Sequence, residues 1–573
     1  MKKLLEILGD ELKKAFREAG YSDEKVTVTV SNRPDLCEYQ CNGAMALAKE
    51  AHKAPFMIAE EVVAKLSDSK CFSKAESVKP GFINLDISDE YLVSYISDEW
   101  KSERFGLETE EKKKVVVDYG GPNVAKPLHI GHLRAAIIGE AVKRISKYIG
   151  NDTLGDIHMG DWGLQMGLIM AEMEERKMEG MPTLDELSEI YPAASERSKT
   201  DEEYKNRAMD ITYELQHGNE KYLKIWRHIM DISVTDLKQN YDKLNVSFEV
   251  WKGEADADPY IAPMVEKMKK DGIAHESQGA LVVDVSEESD AKEIPPCMIL
   301  KSDGASLYTT TDLATLVQRE EDYDPDAVIY VVDKRQELHF VQVFRAAKKC
   351  GIVPDTTKLS FLGFGTMNGK DGKPFKTRSG GVMRLESLLN EVYEKCLERM
   401  RENGAEMSES ELKDTAGKIA LAAIKYGDLS NEARKDYVFD IDKFTSFEGN
   451  TGPYILYTMV RIKSILRKYR ENGGSTDDIT MLPPANAEEK SLMMTLTGFV
   501  PMIEGSFRDL APHRICAYIY QIANDFNKFY HATKIITEED RSRQKSWIGL
   551  LMFTLEVLET CTDLLGFDAP EMM

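Results

Sequence analysis

Hydrophobic positions recur with two spacings in the first part of the chain. Leu4, Leu8 and Leu12 repeat at helical spacing, and the segment 44–66 has a similar pattern. A short apolar run at 82–85 follows a Pro-Gly pair and has the length of a strand. These patterns predict an α+β domain over residues 1–110.

The middle of the chain alternates between short apolar runs and helical segments. The runs at 115–119, 327–332 and 358–362 are typical of strands that are buried on both faces. Segments 129–149 and 338–350 have helical spacing, and strands that alternate with helices indicate a parallel sheet. We therefore predict an α/β domain over 111–400, with a mostly helical, acidic insertion at 165–250.

From about residue 413 the helical period continues to the end of the chain. This spacing predicts helices over 416–426, 454–470, 487–504, 513–532 and 543–565. Together they predict a C-terminal helical bundle over 401–573. A chain of 573 residues is long enough for three or four domains.

Composition restricts the partners of this chain. The net charge of −24 excludes a general positive surface, so contacts with nucleic acid must come from local basic patches. The eight cysteines are scattered without a C-x-x-C pair, which favours reduced thiols over a zinc site. Neither a signal peptide nor a membrane-spanning segment is evident, so we expect a cytoplasmic protein.

A loop that ends in a histidine pair follows the first predicted strand of the sheet. Pro127 lies where we expect the next helix to begin, and His129 and His132 are three residues apart on it. A helix N-terminus at the carboxyl edge of a parallel sheet favours phosphate, and Gly131 allows a base to approach the backbone. A metal site or an ordinary surface is the alternative interpretation.

The segment 120–134, GGPNVAKPLHIGHLR, resembles the signature region of class I aminoacyl-tRNA synthetases, and in its full length their arginine-specific branch. The segment 160–167, GDWGLQMG, resembles the next block of that branch. The resemblance covers nearly the whole chain and implies a Rossmann-type catalytic domain that forms an aminoacyl-adenylate. Gly120 and Gly121 replace the family's more usual serines, so a backbone N–H or a water takes the place of one hydroxyl contact that the resemblance implies.

The segment 373–381, KPFKTRSGG, is a cationic loop flanked by glycines. Positive charge there can stabilise the pyrophosphate as it departs. A solvated surface hairpin is the alternative. The loop falls where the family has its KMSKS motif, and the usual second lysine is absent. The resemblance implies that Lys126 and Lys376 bind the triphosphate, together with Arg378. The nearby segment 363–370 does not have the spacing of a P-loop, so it is not a second phosphate-binding motif of that kind.

A set of hydrogen-bond acceptors suits an arginine substrate. Tyr308 and Asp312 are four residues apart on a predicted helix, and a carboxylate beside a phenol matches a guanidinium. Gln336 follows the strand at 327–332, and Asp118 and Asn123 suit the substrate's α-amino group. A structural role is the alternative for each residue taken singly. The resemblance implies that all five bind arginine, together with His129.

Two outer segments resemble the RNA-binding parts of the family. Segments 40–45 and 80–84 resemble its N-terminal domain, and residues 447–454 beside a basic helix resemble the start of its anticodon-binding domain. Glycines, an amide and aromatic rings can receive splayed bases. The predicted RNA contacts are Asn84, Phe447, Glu448, Gly449, Asn450, Thr451, Gly452, Tyr454 and Arg461.

The resemblance implies arginine activation with ATP and Mg²⁺, transfer to tRNA(Arg), a requirement for tRNA in the first step, and a monomer. We predict no metal bound by the protein itself. Another class I synthetase, such as the cysteine or glutamate enzyme, is one alternative, although the acidic pocket and the scattered cysteines disfavour both. A catalytically inactive RNA-binding paralogue is the other alternative.

Overall fold

The N-terminal part of the molecule is an antiparallel sheet covered by helices. The computed structural model describes residues 1–109, 111–373, 383–402 and 407–573. Within these ranges, the first four strands pair in the order β1-β2-β4-β3. The elements are α1 (Leu4–Glu18), β1 (Val28–Val30), β2 (Tyr39–Cys41), α2 (Gly43–Leu47), α3 (Pro55–Val63), β3 (Phe72–Val78), β4 (Phe82–Ile87) and α4 (Asp89–Lys101).

The continuous helix expected over 44–66 is wrong. Helix α2 ends at Leu47, and α3 begins only at Pro55. Proline at the first helical position disfavours the helical conformation of the residue before it, and Ala54 is indeed extended, with φ −62° and ψ 133°. His52, between the helices, has a left-handed backbone with φ 48°. The apolar spacing therefore continues across a break in the backbone.

A parallel sheet forms the centre of the molecule, as predicted. Within the described residues its five strands lie in the order β12-β11-β5-β6-β7, and every pair is parallel. The elements are β5 (Lys114–Tyr119), α5 (Leu133–Tyr148), β6 (Asp152–Met159), α6 (Leu164–Glu175), α7 (Leu184–Arg197), α8 (Glu202–Gln216), α9 (Glu220–Lys243), β7 (Val250–Gly253), α10 (Glu254–Lys270), β8 (His275–Ser277), β9 (Ala280–Val283), β10 (Cys297–Leu300), α11 (Tyr308–Tyr323), β11 (Ala327–Asp333), α12 (Glu337–Lys349), β12 (Lys358–Phe364), β13 (Met367–Asn368) and α13 (Leu385–Glu402).

The order of the strands determines where a ligand can bind. The chain starts in the middle of the sheet at β5, continues to one edge through β6 and β7, and then returns to the other side through β11 and β12. The connections therefore diverge at the carboxyl ends of β5 and β11, and this divergence opens a crevice. The helices α6 to α9 lie between β6 and β7, where the acidic helical insertion was expected.

The last part of the chain is helical, as predicted. Its elements are α14 (Glu409–Leu429), β14 (Tyr437–Val438), α15 (Ile441–Phe444), α16 (Gly452–Glu471), α17 (Ala487–Leu496), α18 (Phe499–Arg508), α19 (His513–Ala532) and α20 (Arg541–Leu565). The single helix expected over 487–504 is wrong, because the chain turns at Thr497 and Gly498. The Tyr518 hydroxyl donates to the Leu496 carbonyl at this break, 2.9 Å away, and satisfies the end of α17. The expected boundary at residue 400 falls inside α13.

The N-terminal part packs directly against the C-terminal helices. The Trp100 indole donates to Glu556 at 3.0 Å, and the Lys490 ammonium lies 2.7 Å from Glu38 and 3.0 Å from Asp89. All eight cysteines are buried free thiols. Among the helices of the described ranges, none is long and apolar enough to cross a membrane.

Glu99 lies inside this packing without a partner. Its side chain is fully buried, and within the described residues neither carboxyl oxygen has a hydrogen bond. Burial raises the pKa of Glu99 to about 8. Since this pKa lies above the ordinary value of 4.5, Glu99 favours folding at low pH, and that contribution decreases from about pH 4.5, where the unfolded chain ionises, until about pH 8. Tyr95 and Tyr518 are its titratable neighbours.

We predict that Glu99→Gln stabilises the protein selectively at high pH, because glutamine stays neutral where the buried glutamate must ionise. Differential scanning fluorimetry at pH 6 and pH 9 measures this effect. We expect the variant to exceed wild type in melting temperature by more at pH 9 than at pH 6, because the loss of wild-type stability is complete only above about pH 8. Glu103→Gln, at an exposed position nearby, is the matched control. A constant difference between wild type and Glu99→Gln at all pH values would contradict the prediction.

Candidate active site

A tight glycine turn leads from β5 into the crevice. Gly120 has a left-handed backbone with φ +72°, a conformation that favours glycine. Gly121 passes so close to β6 that a Cβ atom there would overlap the His158 carbonyl oxygen. A serine at position 121 would therefore collide with backbone. A side-chain hydroxyl can occupy this position only if the loop moves away from β6.

The loop after these glycines is held against the end of β6. The Val124 N–H donates to the Gly160 carbonyl at 3.0 Å, and the Gly160 N–H donates to the Pro122 carbonyl at 3.1 Å. The Asn123 side chain is exposed, with its oxygen against Gly160. The helix begins at Ile130 with a 3₁₀ turn, so the expected start at Pro127 is wrong. The physical reason is that His129, rather than the proline, caps this turn.

Two backbone hydrogen bonds fix the histidine pair. The Gly131 N–H donates to His129 Nδ1 at 3.0 Å, and the His129 N–H donates to His132 Nδ1 at 3.1 Å. The two rings lie 3.9 Å apart between centroids. Because Nδ1 accepts in both residues, each neutral ring carries its proton on Nε2.

The same surroundings keep both rings neutral. Burial lowers the pKa of His132 to about 3, and the neighbouring His129 and Lys126 add to this effect. Burial, followed by Lys126, also lowers the pKa of His129. A neutral Nε2–H remains a hydrogen-bond donor at physiological pH. The pair can therefore donate to phosphate oxygens without carrying a positive charge.

The histidine turn also holds one end of the basic loop. The Ile130 N–H donates to the Met383 carbonyl at 3.1 Å, and the Leu385 N–H donates to the Leu128 carbonyl at 2.9 Å. Lys376 and Arg378 lie outside the described residues. Lys126 lies three residues before His129, and its ammonium lies 4.1 Å from the centroid of the Tyr191 ring of α7.

The floor of the crevice is a buried ion cluster between neighbouring elements. Arg319 of α11 donates to Asp118 of β5 at 2.5 Å and to Asp156 of β6 at 2.7 and 2.9 Å. The side chains of Arg319, Asp118 and Asp156 are 1%, 13% and 3% exposed. Asp118 is thus already paired, so any ligand shares its carboxylate with Arg319.

The start of α11 carries two of the residues that are predicted to bind a guanidinium, Tyr308 and Asp312. The Leu307 N–H donates to Thr310 Oγ1 at 2.9 Å, so a threonine in the first turn binds back to the residue that precedes the helix. Tyr308 is 76% exposed at the first position of the helix. Asp312, one turn later, has Oδ2 2.5 Å from His339 Nε2 of α12. Gln336 lies exposed at the carboxyl edge of β11, three residues before His339.

A further carboxylate, Glu254 at the start of α10, faces the same space. Its Oε2 accepts from the Trp162 N–H at 3.3 Å. Burial raises the pKa of Glu254. Burial, followed by the negative charge of Glu254, also raises the pKa of the Tyr308 hydroxyl. Asp312 and His158 act electrostatically on Glu254 in turn. Glu254 therefore lies within electrostatic range of Asp312 and of the exposed Tyr308 phenol, and His158 lies within range of both Glu254 and Asp118.

Sequence reasoning missed Arg319, Glu254 and His339. Arg319 continues the buried face of Leu313 and Leu316 at helical spacing, and an arginine in that position requires an acidic partner. That pattern could have identified it. Glu254 and His339 are ordinary residues in a helical first turn, and only the tertiary fold brings them to the crevice.

The predicted RNA contacts divide into exposed and structural positions. Asn84 is 7% exposed and accepts a hydrogen bond from Gln40 at 2.9 Å, inside the N-terminal sheet. Thr451 caps α16 and is 4% exposed, and Gly452 packs against the Ala422 backbone. The exposed positions of this loop are Glu448, Gly449 and Asn450, and Phe447 is half-buried.

An aromatic and basic patch lies on α16 and α19 beside this loop. The Arg461 guanidinium lies 4.8 Å from the Tyr457 ring centroid and 5.3 Å from that of Tyr530, and it donates to Asn527 at 2.7 Å. Tyr454 is hydrogen bonded to Asn527 at 2.9 Å. Exposed rings with an arginine between them form a platform on which bases can stack.

Three family models match this chain. The model described as "tRNA synthetases class I (R), catalytic domain" matches residues 96–441. The "Arginyl tRNA synthetase N terminal domain" matches residues 2–87, and the "DALR anticodon binding domain" matches residues 455–573.

Whole proteins are similar as well. The arginine–tRNA ligase of Agathobacter rectalis is 57% identical and that of Alkaliphilus oremlandii 50% identical, each with full coverage of both chains. The solved structure of arginyl-tRNA synthetase from Plasmodium falciparum has the same fold, with a TM-score of 0.84 at 24% identity and full coverage of both chains.

We predict that His129 and His132 are neutral Nε2–H tautomers at pH 7. Two-bond ¹H–¹⁵N spectra of histidine-labelled protein measure the tautomer, with His129→Gln and His132→Gln spectra for assignment. We expect His132 to remain unprotonated at pH 5, since its pKa is about 3. Protonation of His132 near pH 6.5, or a proton on its Nδ1, would contradict the geometry of the histidine turn.

Proposed function

We propose, from the premise that this chain belongs to the arginyl-tRNA synthetase family and is an arginine–tRNA ligase, that the crevice described above performs both steps of that reaction. The enzyme activates arginine to arginyl-adenylate and then transfers the arginyl group to tRNA. The single observation that supports the choice of substrate best is the pair of carboxylates Glu254 and Asp312 beside Tyr308, with Asp118 near the end of β5 as a third carboxylate.

The arginine side chain is recognised at the start of α11. Asp312 accepts from the guanidinium through Oδ1, because His339 binds and orients the same carboxylate through Oδ2. The exposed Tyr308 ring lies one turn away and covers the planar guanidinium. Glu254 adds negative charge, and Gln336 and Asn123 supply amides. An acidic amino acid would meet like charge from every side, which disfavours the glutamate enzyme as the alternative.

The α-amino group binds at the other end of the crevice. Asp118 accepts from the ammonium, while the ion pair with Arg319 holds the carboxylate in place. This arrangement points the substrate's carboxylate toward the histidine turn at Gly131. His129 lies between the two sites, and we assign it to both the arginine and the ATP.

Activation is an in-line displacement at the α-phosphate. A carboxylate oxygen of arginine forms a bond to phosphorus, and the bond to the β-phosphate oxygen breaks, so that pyrophosphate leaves with its electron pair. The Nε2–H groups of His129 and His132 donate to the phosphate oxygens as charge develops there. Lys126, Lys376 and Arg378 stabilise the departing pyrophosphate, and positioning supplies most of the remaining rate.

ATP brings Mg²⁺ to the reaction, and its phosphates hold the ion. The described residues contain no group of three or more histidine, cysteine, aspartate or glutamate side chains that could hold a metal. When bound, the ion neutralises phosphate charge and orients the leaving group. The chain itself contributes hydrogen-bond donors to the phosphates: the neutral His129 and His132, and the cationic Lys126, Lys376 and Arg378.

The second step transfers arginine to the 3′-terminal ribose of tRNA(Arg). We assign RNA contacts to the exposed loop 448–450, to Phe447, Tyr454 and Arg461 beside it, and to the N-terminal sheet around Asn84. Arginine activation then depends on bound tRNA. We also propose a monomeric, cytoplasmic enzyme with N-terminal, catalytic and anticodon-binding domains over 1–110, 111–400 and 401–573.

ATP–pyrophosphate exchange with each standard amino acid, with and without tRNA, tests this function. We expect exchange with arginine alone, and only when tRNA is present. Exchange with another amino acid would overturn the pocket. Exchange without tRNA would overturn the tRNA requirement. A folded protein that shows no exchange at all would instead favour the non-catalytic RNA-binding alternative.

We predict that Asp312→Asn weakens arginine selectively, because the guanidinium loses its ionised acceptor. A charge-assisted hydrogen bond contributes roughly 1.5–3 kcal/mol, so the KM for arginine should rise about 10- to 100-fold. The KM for ATP should change little. Steady-state aminoacylation with each substrate varied in turn measures both constants. Glu321→Gln, at an exposed position on the same helix, is the control. An equal loss for arginine and ATP would contradict this role of Asp312.

A further inference from the structure

His158 is a histidine of the crevice that takes no part in the steps proposed above. It is the last residue but one of β6, at the carboxyl edge of the parallel sheet, and its side chain is half-buried. Both ring nitrogens are buried, and among the residues that the structure describes neither has a hydrogen-bond partner. A buried polar atom without a partner is unfavourable, so these nitrogens indicate that a ligand supplies the partner.

The register of the sheet places this ring beside the ion cluster at the floor of the crevice. Asp118 of β5 lies opposite Asp156 of β6. Side chains two residues apart on a strand point to the same face, so His158 shares the face of both carboxylates and is the next side chain toward the opening. The Gly121 backbone lies against the His158 carbonyl, and β7 pairs with β6 on the other side. The main chain of His158 is therefore fixed before a ligand binds.

Two carboxylates from different parts of the crevice lie within electrostatic range of the ring. His158 acts on Asp118, the proposed acceptor of the α-ammonium, and on Glu254 at the start of α10. Lys252, the neighbour of His158 on β7, is already paired with Asp322 of α11 at 2.5 Å. The charged groups that remain near the ring are acidic, which favours a cationic group of the ligand at this position.

The hydrogen-bonding capacity of a neutral imidazole matches this position. An imidazolium between two carboxylates would donate to one of them, and neither ring nitrogen does so within the described residues. A neutral ring has one N–H and one unprotonated nitrogen, so it can donate toward Glu254 and accept from a cation beside Asp118. An α-ammonium has three N–H donors, and Asp118 is already shared with Arg319. A second acceptor beside Asp118 therefore satisfies a donor that the carboxylate cannot.

We propose that His158 binds the α-ammonium of arginine through its unprotonated ring nitrogen, as the second acceptor beside Asp118. The residue thereby determines specificity for the α-amino group. A site built to accept from a substrate N–H rejects an analogue that lacks it, because the buried acceptor is then left unpaired. The inference rests on the proposed function, since it assumes the α-ammonium of arginine at Asp118. It deepens that function by naming a residue that distinguishes arginine from its des-amino analogue.

Binding of arginine and of des-amino-arginine, which lacks only the α-amino group, tests the proposal. Calorimetry on the full chain measures both dissociation constants, together with that of ATP. His158→Phe keeps an aromatic ring and removes both ring nitrogens, whereas His158→Gln keeps a side-chain acceptor. His275→Phe is the matched control, because His275 has a 50% exposed side chain and lies on β8, in a separate sheet.

We expect the wild-type protein to bind arginine more tightly than des-amino-arginine. His158→Phe should weaken arginine about 10-fold or more, as the loss of a hydrogen bond to a charged group implies. Its affinities for des-amino-arginine and for ATP should stay near the wild-type values. His158→Gln should recover part of the arginine affinity, and His275→Phe should bind all three ligands as the wild type does.

A second measurement uses the wild-type protein and keeps the proposal testable if His158→Phe does not fold. In protein labelled with ¹⁵N at histidine, arginine should shift the signal of the unprotonated ring nitrogen of His158, because that nitrogen becomes a hydrogen-bond acceptor. Des-amino-arginine should leave the signal in place. The spectrum of His158→Gln assigns the signal.

Wild-type arginine affinity in His158→Phe would overturn the proposal, and so would a His158 signal that does not respond to arginine. An equal loss for arginine and des-amino-arginine would also overturn it, because that pattern places the ring at the guanidinium or gives it a purely structural role. A wild-type protein that neither binds arginine nor charges tRNA would instead show that the proposed function has failed, so the two failures are distinguishable.

Discussion

The ion cluster of Arg319 with Asp118 and Asp156 is the interaction on which the site depends. Two carboxylates at facing positions on adjacent strands would repel each other, and the buried guanidinium between them removes that repulsion. A buried charge that loses its partner is strongly destabilising, so the three groups hold β5, β6 and α11 in one relative position. The glycine turn, the histidine pair and the start of α11 all extend from these elements.

The acidic chain can bind polyanions because the relevant fields are local. A net charge of −24 repels phosphate over long distances, yet the crevice presents the Nε2–H donors of two neutral histidines together with Lys126. Salt screens the long-range repulsion within roughly 10 Å at ordinary ionic strength. We propose that the cationic amino acid binds at the carboxylates Asp118, Glu254 and Asp312 instead. In the proposed arrangement ATP meets neutral and cationic donors, whereas arginine meets carboxylates.

The sequence predicted features that depend on neighbours in the chain. The strands of the sheet at 115–119, 327–332 and 358–362 are continuous apolar runs, and Tyr308 and Asp312 share a helix face by spacing alone. Strand β6 was missed because Asp156 and His158 interrupt its apolar pattern. The pairing of Arg319 with Asp118 spans 201 residues, and no local pattern encodes it. The helix breaks near Ala54 and Gly498 were missed because the apolar spacing continues across them.

The most direct test of the account is a crystal structure of the enzyme with a non-hydrolysable arginyl-adenylate analogue. We predict that the guanidinium binds Asp312 beside Tyr308, that the α-ammonium binds Asp118 with the Arg319 pair intact, and that the adenylate phosphate lies against His129 and His132. A guanidinium bound elsewhere, or an Asp118 that has left Arg319 to bind the ligand, would contradict the central claim that this ion cluster is the fixed floor of the arginine site.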